Sequence, residues 1–267
     1  MLIDFHTHAF PDKLASRAMG SLAPRVGYSP ESDGTISGLL SKMELCGVDR
    51  SVVCNIATNA RQMTNVNNFA IETNRDYGDK LTALGSVHPL AENKSLEIER
   101  LHNAGVVGLK LHPDYMGCRI EDEAFDEIFD TAACLHMFII IHTGFDVYSP
   151  HGVMASPDAI LTRIARSPRT TLVCAHFGGN MMWNEVYDKL LGKDIYIDTS
   201  MGCTEDLDVH MAEKMLLKHD CEKVLFGSDC PWESPARTFS FVDSMSIGDS
   251  YKEKIFSENA KRLLNID

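Results

Sequence analysis

His6 and His8, in the run Leu2-Ile3-Asp4-Phe5-His6-Thr7-His8, place two imidazoles on one side of an extended segment. Side chains two apart on a strand point the same way, and two neutral imidazoles a few ångströms apart are half of a divalent-metal site. A lone His-x-His is also a common chance pattern, so the pair needs partners elsewhere in the chain. Candidates stand at the ends of other apolar runs. They are Lys110 and His112 in Gly108-Leu109-Lys110-Leu111-His112-Pro113, and His142 in Ile140-Ile141-His142-Thr143-Gly144. His176 follows in Cys174-Ala175-His176-Phe177-Gly178-Gly179, and Asp229 in Phe226-Gly227-Ser228-Asp229-Cys230-Pro231-Trp232.

The runs that carry these residues read as strands. After the first come Ser51 to Ile56, Leu81 to Val87, Val106 to Leu111, Met137 to His142, Thr171 to Ala175, Ile195 to Ile197 and Val224 to Phe226. Between them lie amphipathic stretches of helical period: Ile36 to Cys46, Phe69 to Tyr77, Leu96 to Asn103, Phe125 to His136, Pro157 to Arg166, Trp183 to Leu191 and Leu207 to His219. Strand and helix alternating eight times in one composition predict an α/β fold, a closed (β/α)8 barrel in a single domain over residues 1–267. An open doubly wound sheet is the runner-up, but no Gly-x-Gly-x-x-Gly turn follows any strand. Short turns such as Cys46-Gly47-Val48-Asp49 suit the face where helices hand over to strands. The Pro- and Gly-containing stretch from Ala9 to Gly34 is expected to be a long loop after strand one and a partial lid. Tyr251 to Leu264 is expected to be a terminal helix.

In such a barrel, chemistry gathers at the C-terminal ends of the strands, where these polar residues fall. His88, in Val87-His88-Pro89, is read as a structural hydrogen-bonding residue. Tyr115, Arg119, Trp232 and Arg237 follow strands four and eight, where substrate-contacting groups sit, and an arginine there suits a carboxylate. Cys230 adjoins Asp229, but strand neighbours point to opposite faces, so it need not be a nucleophile.

Composition narrows the function. The net charge of −13 argues against a nucleic-acid-binding surface, which needs clustered Lys and Arg. No apolar stretch approaches the roughly 20 residues of a membrane span, and the start lacks the basic, apolar pattern of a secretion signal. The eight cysteines contain no Cys-x-x-Cys pair and read as buried reduced thiols, which fits a cytoplasmic protein.

The chain resembles the amidohydrolase superfamily, in its amidohydrolase-2 branch, which includes aminocarboxymuconate-semialdehyde decarboxylase. The carriers are Asp4-x-His6-x-His8, Gly108-x-Lys110, His142-x-Gly144, Ala175-His176-x-Gly178-Gly179, Gly227-Ser228-Asp229-x-Pro231 and Asn259-Ala260-x-Arg262-Leu263-Leu264. Together they span the chain. The resemblance implies a metal-dependent TIM barrel with one divalent ion held by His6, His8, His142 and Asp229. Zinc is the first choice, with manganese or iron able to substitute. It also implies that Asp229 carries the proton and that His176 polarises a carbonyl or stabilises developing negative charge. In two-metal relatives a carboxylated strand-four lysine bridges both ions; Lys110 is favoured here as an unmodified cation that pairs with a substrate carboxylate. His112, Tyr115, Trp232 and Arg237 complete the expected substrate contacts.

The expected partner is a small molecule, and a homodimer is compatible with such a barrel. Hydrolysis of an amide, ester or lactone by metal-activated water is the first reading. Non-oxidative decarboxylation of a small carboxylic acid, or hydration, is the alternative from the same constellation. A non-catalytic metal-binding barrel is the alternative from another class, opposed by the completeness of the ligand set.

Overall fold

The computed structural model describes residues 1–26, 29–147, 149, 152–203 and 207–266. Its strands are β1 (Ile3–Thr7), β2 (Arg50–Cys54), β3 (Leu81–Leu84), β4 (Gly108–Leu111), β5 (Phe138–Ile141), β6 (Leu172–Cys174), β7 (Tyr196–Asp198) and β8 (Val224–Leu225). All pair in parallel, in the orders β1-β2-β3 and β4-β5-β6-β7-β8. Backbone hydrogen bonds join the two sets into a closed (β/α)8 barrel. Across one seam Gly85 N–H donates to Gly108 O at 3.1 Å and Lys110 N–H to Gly85 O at 2.8 Å. Across the other Phe5 N–H donates to Phe226 O at 2.7 Å, Asp229 N–H to His6 O at 2.8 Å, and His8 N–H to Cys230 O at 2.7 Å.

The helices are α1 (Asp12–Val26), α2 (Ile36–Cys46), α3 (Met63–Tyr77), α4 (Lys94–Asn103), α5 (Pro113–Met116), α6 (Asp126–Cys134), α7 (Pro157–Arg166), α8 (Trp183–Lys189), α9 (Val209–Lys218), α10 (Pro235–Asp243), α11 (Asp249–Glu253) and α12 (Asn259–Leu264). The expected terminal helix is α11 and α12 joined by a π-helical turn over Lys254–Glu258. Gly47, at φ 69°, closes α2 in the left-handed conformation that glycine enters without steric cost.

The expected long loop after β1 is a correction: most of it is α1. Leu14, Ala15, Ala18, Met19 and Leu22 recur at helical spacing, and Ala15 and Met19 are buried. Gly20 and Pro24, both inside the helix, gave this stretch its loop-like composition. Residues 27 and 28 of the stretch lie outside the described residues.

Two packed layers result. Ile3, Phe5, Val52, Leu84, Phe138, Ile140, Val173 and Leu225 fill the barrel, with Ala260 and Leu264 of α12 packed against them. The larger cluster lies between strands and helices. A register shift in β1 between Asp4 and Thr7 matters to the site. Strict alternation would send Phe5 inward and His6 outward; the bulge lets Ile3 and Phe5 pack inside while His6 and His8 still face the cavity at the strand's end. No helix among the described residues is long and apolar enough to cross a membrane, and all eight cysteines are free.

Candidate metal centre and substrate cavity

The strand ends converge on a cavity of about 1340 Å³ whose lining includes His6, His8, Lys110, His142, His176 and Asp229. β8 can approach β1 because residue 227 is glycine: a Cβ there would lie 2.9 Å from the Cβ of His6. Asp229 at φ 71° and His176 at φ 60° hold left-handed backbone that non-glycine residues rarely adopt. Such strain clusters where side chains must be aimed at a site.

Hydrogen-bond partners assign the imidazole tautomers. Cys54 O can only accept, so His8 donates from Nδ1 at 2.9 Å, and its Nε2 lone pair faces Asp229 Oδ1 at 3.0 Å. Burial pushes the His8 pKa below its ordinary value despite the opposing pull of Asp229, so this imidazole is neutral near pH 7. Asp229 is also an acceptor. Burial raises its pKa, but the surrounding His6, His8 and Lys110 outweigh it and hold the carboxyl below the usual carboxylate range. Two acceptors facing each other this closely are repulsive unless a cation is shared between them. His6 donates from Nδ1 to Asp198 Oδ2 at 2.8 Å, and its Nε2 accepts from Lys110 Nζ at 2.9 Å and lies 3.3 Å from Asp229 Oδ1.

A second chain of bonds runs from Asp198. Ser200 Oγ donates to Asp198 Oδ1 and accepts from His176 Nδ1 at 2.8 Å. His176 Nε2 therefore accepts from His142 Nδ1 at 2.9 Å, which leaves His142 Nε2 as a buried lone pair without a partner. Burial holds both pKa values well below the ordinary imidazole value, so both rings are neutral near pH 7.

Three of the four expected ligands come together: one donor atom each from His6, His8 and Asp229 lies within 4.8 Å of the others. Their neutral imidazoles and carboxylate fit a divalent cation. His142 is set apart, grouped with His112 and Asp146. The His112 and His142 rings stack at 4.1 Å with an interplanar angle of 8°.

The expected substrate contacts divide. Lys110 is buried on the cavity floor, and Tyr115 stacks on His112 at 3.7 Å. Trp232 and Arg237 line the cavity, and Arg237 Nη1 lies 3.3 Å from Glu233 Oε1. Arg119 is exposed and pairs with Glu121 away from the cavity; His88 Nδ1 accepts from Leu90 N–H, the structural role expected of it. Burial drives the Cys230 thiol pKa far up, which keeps it a protonated, inert neighbour of Asp229.

Sequence reading missed Asp198 and Ser200, although Ile197-Asp198-Thr199-Ser200 carries the same signal as the other strands, a polar residue at an apolar run's end. The outer partner of a metal-binding histidine typically contributes 10- to 100-fold to metal affinity. Replacing Asp198 with alanine is expected to weaken metal binding by about that factor, read by competition with a chromogenic chelator. Unchanged affinity would show that His6 needs no orienting partner.

The amidohydrolase family model matches residues 3–266. The chain belongs to the amidohydrolase family. Solved structures share the fold. An amidohydrolase II protein superposes with TM-score 0.78 at 16% identity, covering 99% of this chain and 100% of that one. The 5-carboxyvanillate decarboxylase of Sphingomonas paucimobilis gives 0.72 at 16%, covering 100% and 99%. The 2,6-dihydroxybenzoate decarboxylase of Rhizobium gives 0.72 at 14%, covering 99% and 98%. No curated protein sequence matches the chain.

Proposed function

We propose that this protein is a metal-dependent lyase that removes the carboxyl group of a small unsaturated or aromatic acid as carbon dioxide, without an oxidant. The observation that carries the reading is the division of the cavity. Its floor is polar, with Lys110 and the histidine–aspartate cluster, whereas Phe10, Leu14, Leu22, Phe69 and Trp232 give it an apolar wall of the kind a planar ring needs. Structural relatives support it: 5-carboxyvanillate and 2,6-dihydroxybenzoate decarboxylases share the fold, and one from Novosphingobium aromaticivorans was solved with manganese and a nitrobenzoic acid. Manganese therefore stands beside zinc as the ion to test.

In this reading His6, His8 and Asp229 would hold the metal, and His142, set apart from them, stays beside it as a neutral cavity-lining ring. The bound ion supplies positive charge that binds the acid and stabilises negative charge as the bond breaks. Lys110, as an ammonium, pairs with the substrate carboxylate beside the same floor. The bond from the ring or alkene carbon to the carboxyl carbon breaks, its electron pair stays on that carbon, and a proton takes its place. Asp229, a carboxylate at rest, would take a proton from water or from the incoming acid and pass it to that carbon. His176, tethered through Ser200 and hydrogen-bonded to His142, is a positioning residue that fixes the His142 ring beside the substrate. The apolar wall excludes water, and the free thiols suit a cytoplasmic setting.

Hydrolysis is the second reading, favoured by the same Asp229 carboxylate, which can orient a water against an ester, lactone or amide. Manganese- and zinc-loaded protein should be offered hydroxybenzoates and enoic acids in parallel with esters, lactones and amides. Carbon dioxide release from acids is the expected result. Oxygen-18 incorporation from water into a carboxylate product, with no gas release, would overturn the lyase reading in favour of the hydrolase, and metal binding with neither activity would leave a non-catalytic barrel.

A further inference from the structure

The loops that follow β5 and β6 are stitched together beside the cavity. Asn180 N–H donates to Thr143 O, Phe145 N–H to Asn180 O, and the Asn180 side-chain amide to Phe145 O, each at 2.9 Å. The loops approach so closely that residue 144 must be glycine: a Cβ there would lie 2.2 Å from Asn180 N. This clamp carries Val147 and Met181. Met181 sits at φ 58°, a left-handed backbone that residues other than glycine adopt only where their surroundings impose it. Both side chains line the substrate cavity and are nevertheless 58% and 51% exposed; α1 adds Leu14 to the same lining, 54% exposed. Single exposed apolar side chains are ordinary. Three at the open end of one cavity, two of them on a rigid clamp, mark a surface that a ligand covers.

Size points the same way. Pockets that enclose drug-sized ligands run to about 300–1,000 Å³, and a single-ring acid is smaller than such a ligand. This cavity is about 1340 Å³. A ring held with its carboxylate at the buried Lys110 leaves the exposed end unfilled. We propose that this end is a second subsite, for an apolar tail, and that the substrate is an elongated acid whose alkyl or aryl tail lies against Leu14, Val147 and Met181. The acid head rests on the decarboxylase reading; the tail subsite can be tested apart from it. Continuity favours a substrate tail over a protein partner. The exposed apolar side chains belong to the same chamber as the floor that takes the head, so an acid extending away from Lys110 reaches them without leaving it. Contacts there are remote from the bond that breaks and serve to hold the head in place.

Calorimetric titration of the manganese-loaded full chain with 4-methylbenzoate, 4-butylbenzoate and 4-hexylbenzoate, whose chains point directly away from the carboxylate, tests this. Wild-type affinity is expected to rise about fourfold per added methylene, the effect of burying each one. Met181→Asn, which tolerates the left-handed backbone, and Leu14→Gln, on an exposed helix face, should each flatten that rise. The slope is read within each protein, so a general loss of affinity cancels. Wild-type melting temperature and manganese content establish that each variant is folded; if one is not, the other carries the comparison. A flat wild-type series, a slope unchanged in both variants, or binding of no acid would overturn the proposal. So would a wild-type dimer that Met181→Asn splits in light scattering, because a second copy would then cover these side chains. A slope that depends on Met181 or Leu14, with no carbon dioxide released from any hydroxybenzoate or enoic acid, would support the tail subsite and overturn the decarboxylase reading instead.

Discussion

Replacing Asp229 with asparagine is expected to lower kcat/KM by about 10²- to 10⁴-fold, the range for loss of a positioned proton carrier, and to reduce bound metal. The substitution is well isolated. Asparagine keeps the side-chain shape and tolerates the left-handed φ of 71° as readily as aspartate does, so the backbone bond from Asp229 N–H to His6 O should persist. What disappears is the negative charge beside His6 Nε2 and His8 Nε2. Metal analysis alongside steady-state kinetics checks both effects. Full activity with an unchanged metal content would remove Asp229 from the mechanism.

The second large effect concerns stability. Arg163 on α7 is completely buried, and its guanidinium donates to Ile120 O at 2.8 Å, Asp122 O at 2.7 Å and Asp126 Oδ1 at 2.7 Å. Its carbon end lies 4.7 Å from the centre of the Phe129 ring. One side chain thus ties the segment after α5 and the start of α6 to α7. Arg163→Leu would fill most of the volume but strand the buried Ile120 carbonyl and remove the donor to the more exposed Asp122 carbonyl and Asp126 carboxylate. Leaving a buried carbonyl without its donor typically costs about 1–3 kcal/mol. Urea denaturation should show that loss as a lower midpoint, with metal affinity per folded molecule preserved because α7 does not supply the site. A loss below about 1 kcal/mol would show that water satisfies the stranded groups.

All eight strands were legible for a physical reason. A parallel strand covered on both faces must be apolar along most of its length, so a polar residue at its end stands out. That contrast also exposed His6, His8, Lys110, His142, His176 and Asp229. α1 was not legible, because Gly20 and Pro24 are common loop residues and three of its apolar positions are alanine. α10 was missed as well: it begins at a proline and holds few large apolar side chains. The bulge in β1 leaves no mark in composition, and alternation alone would have placed Phe5 and His6 on opposite faces without saying how both serve the interior. Pairings such as Asp198 with His6, residues 192 positions apart in the chain, are set by barrel closure and cannot be read from either neighbourhood alone.

The placement of α1 has a consequence for how such a protein can change. Residues of the cavity floor are drawn from positions 6 to 229, so replacing any of the stretches that carry them would disturb the metal centre. Much of the facing wall comes from one contiguous piece, with Ala9, Phe10, Leu14, Arg17, Ala18 and Leu22 all within it. Insertions, deletions or transplants confined to that piece can resize the chamber while the floor stays intact. Selectivity and reactivity are then separately heritable, and the short stretch between His8 and α2 is where a laboratory or a lineage would begin to retarget the barrel.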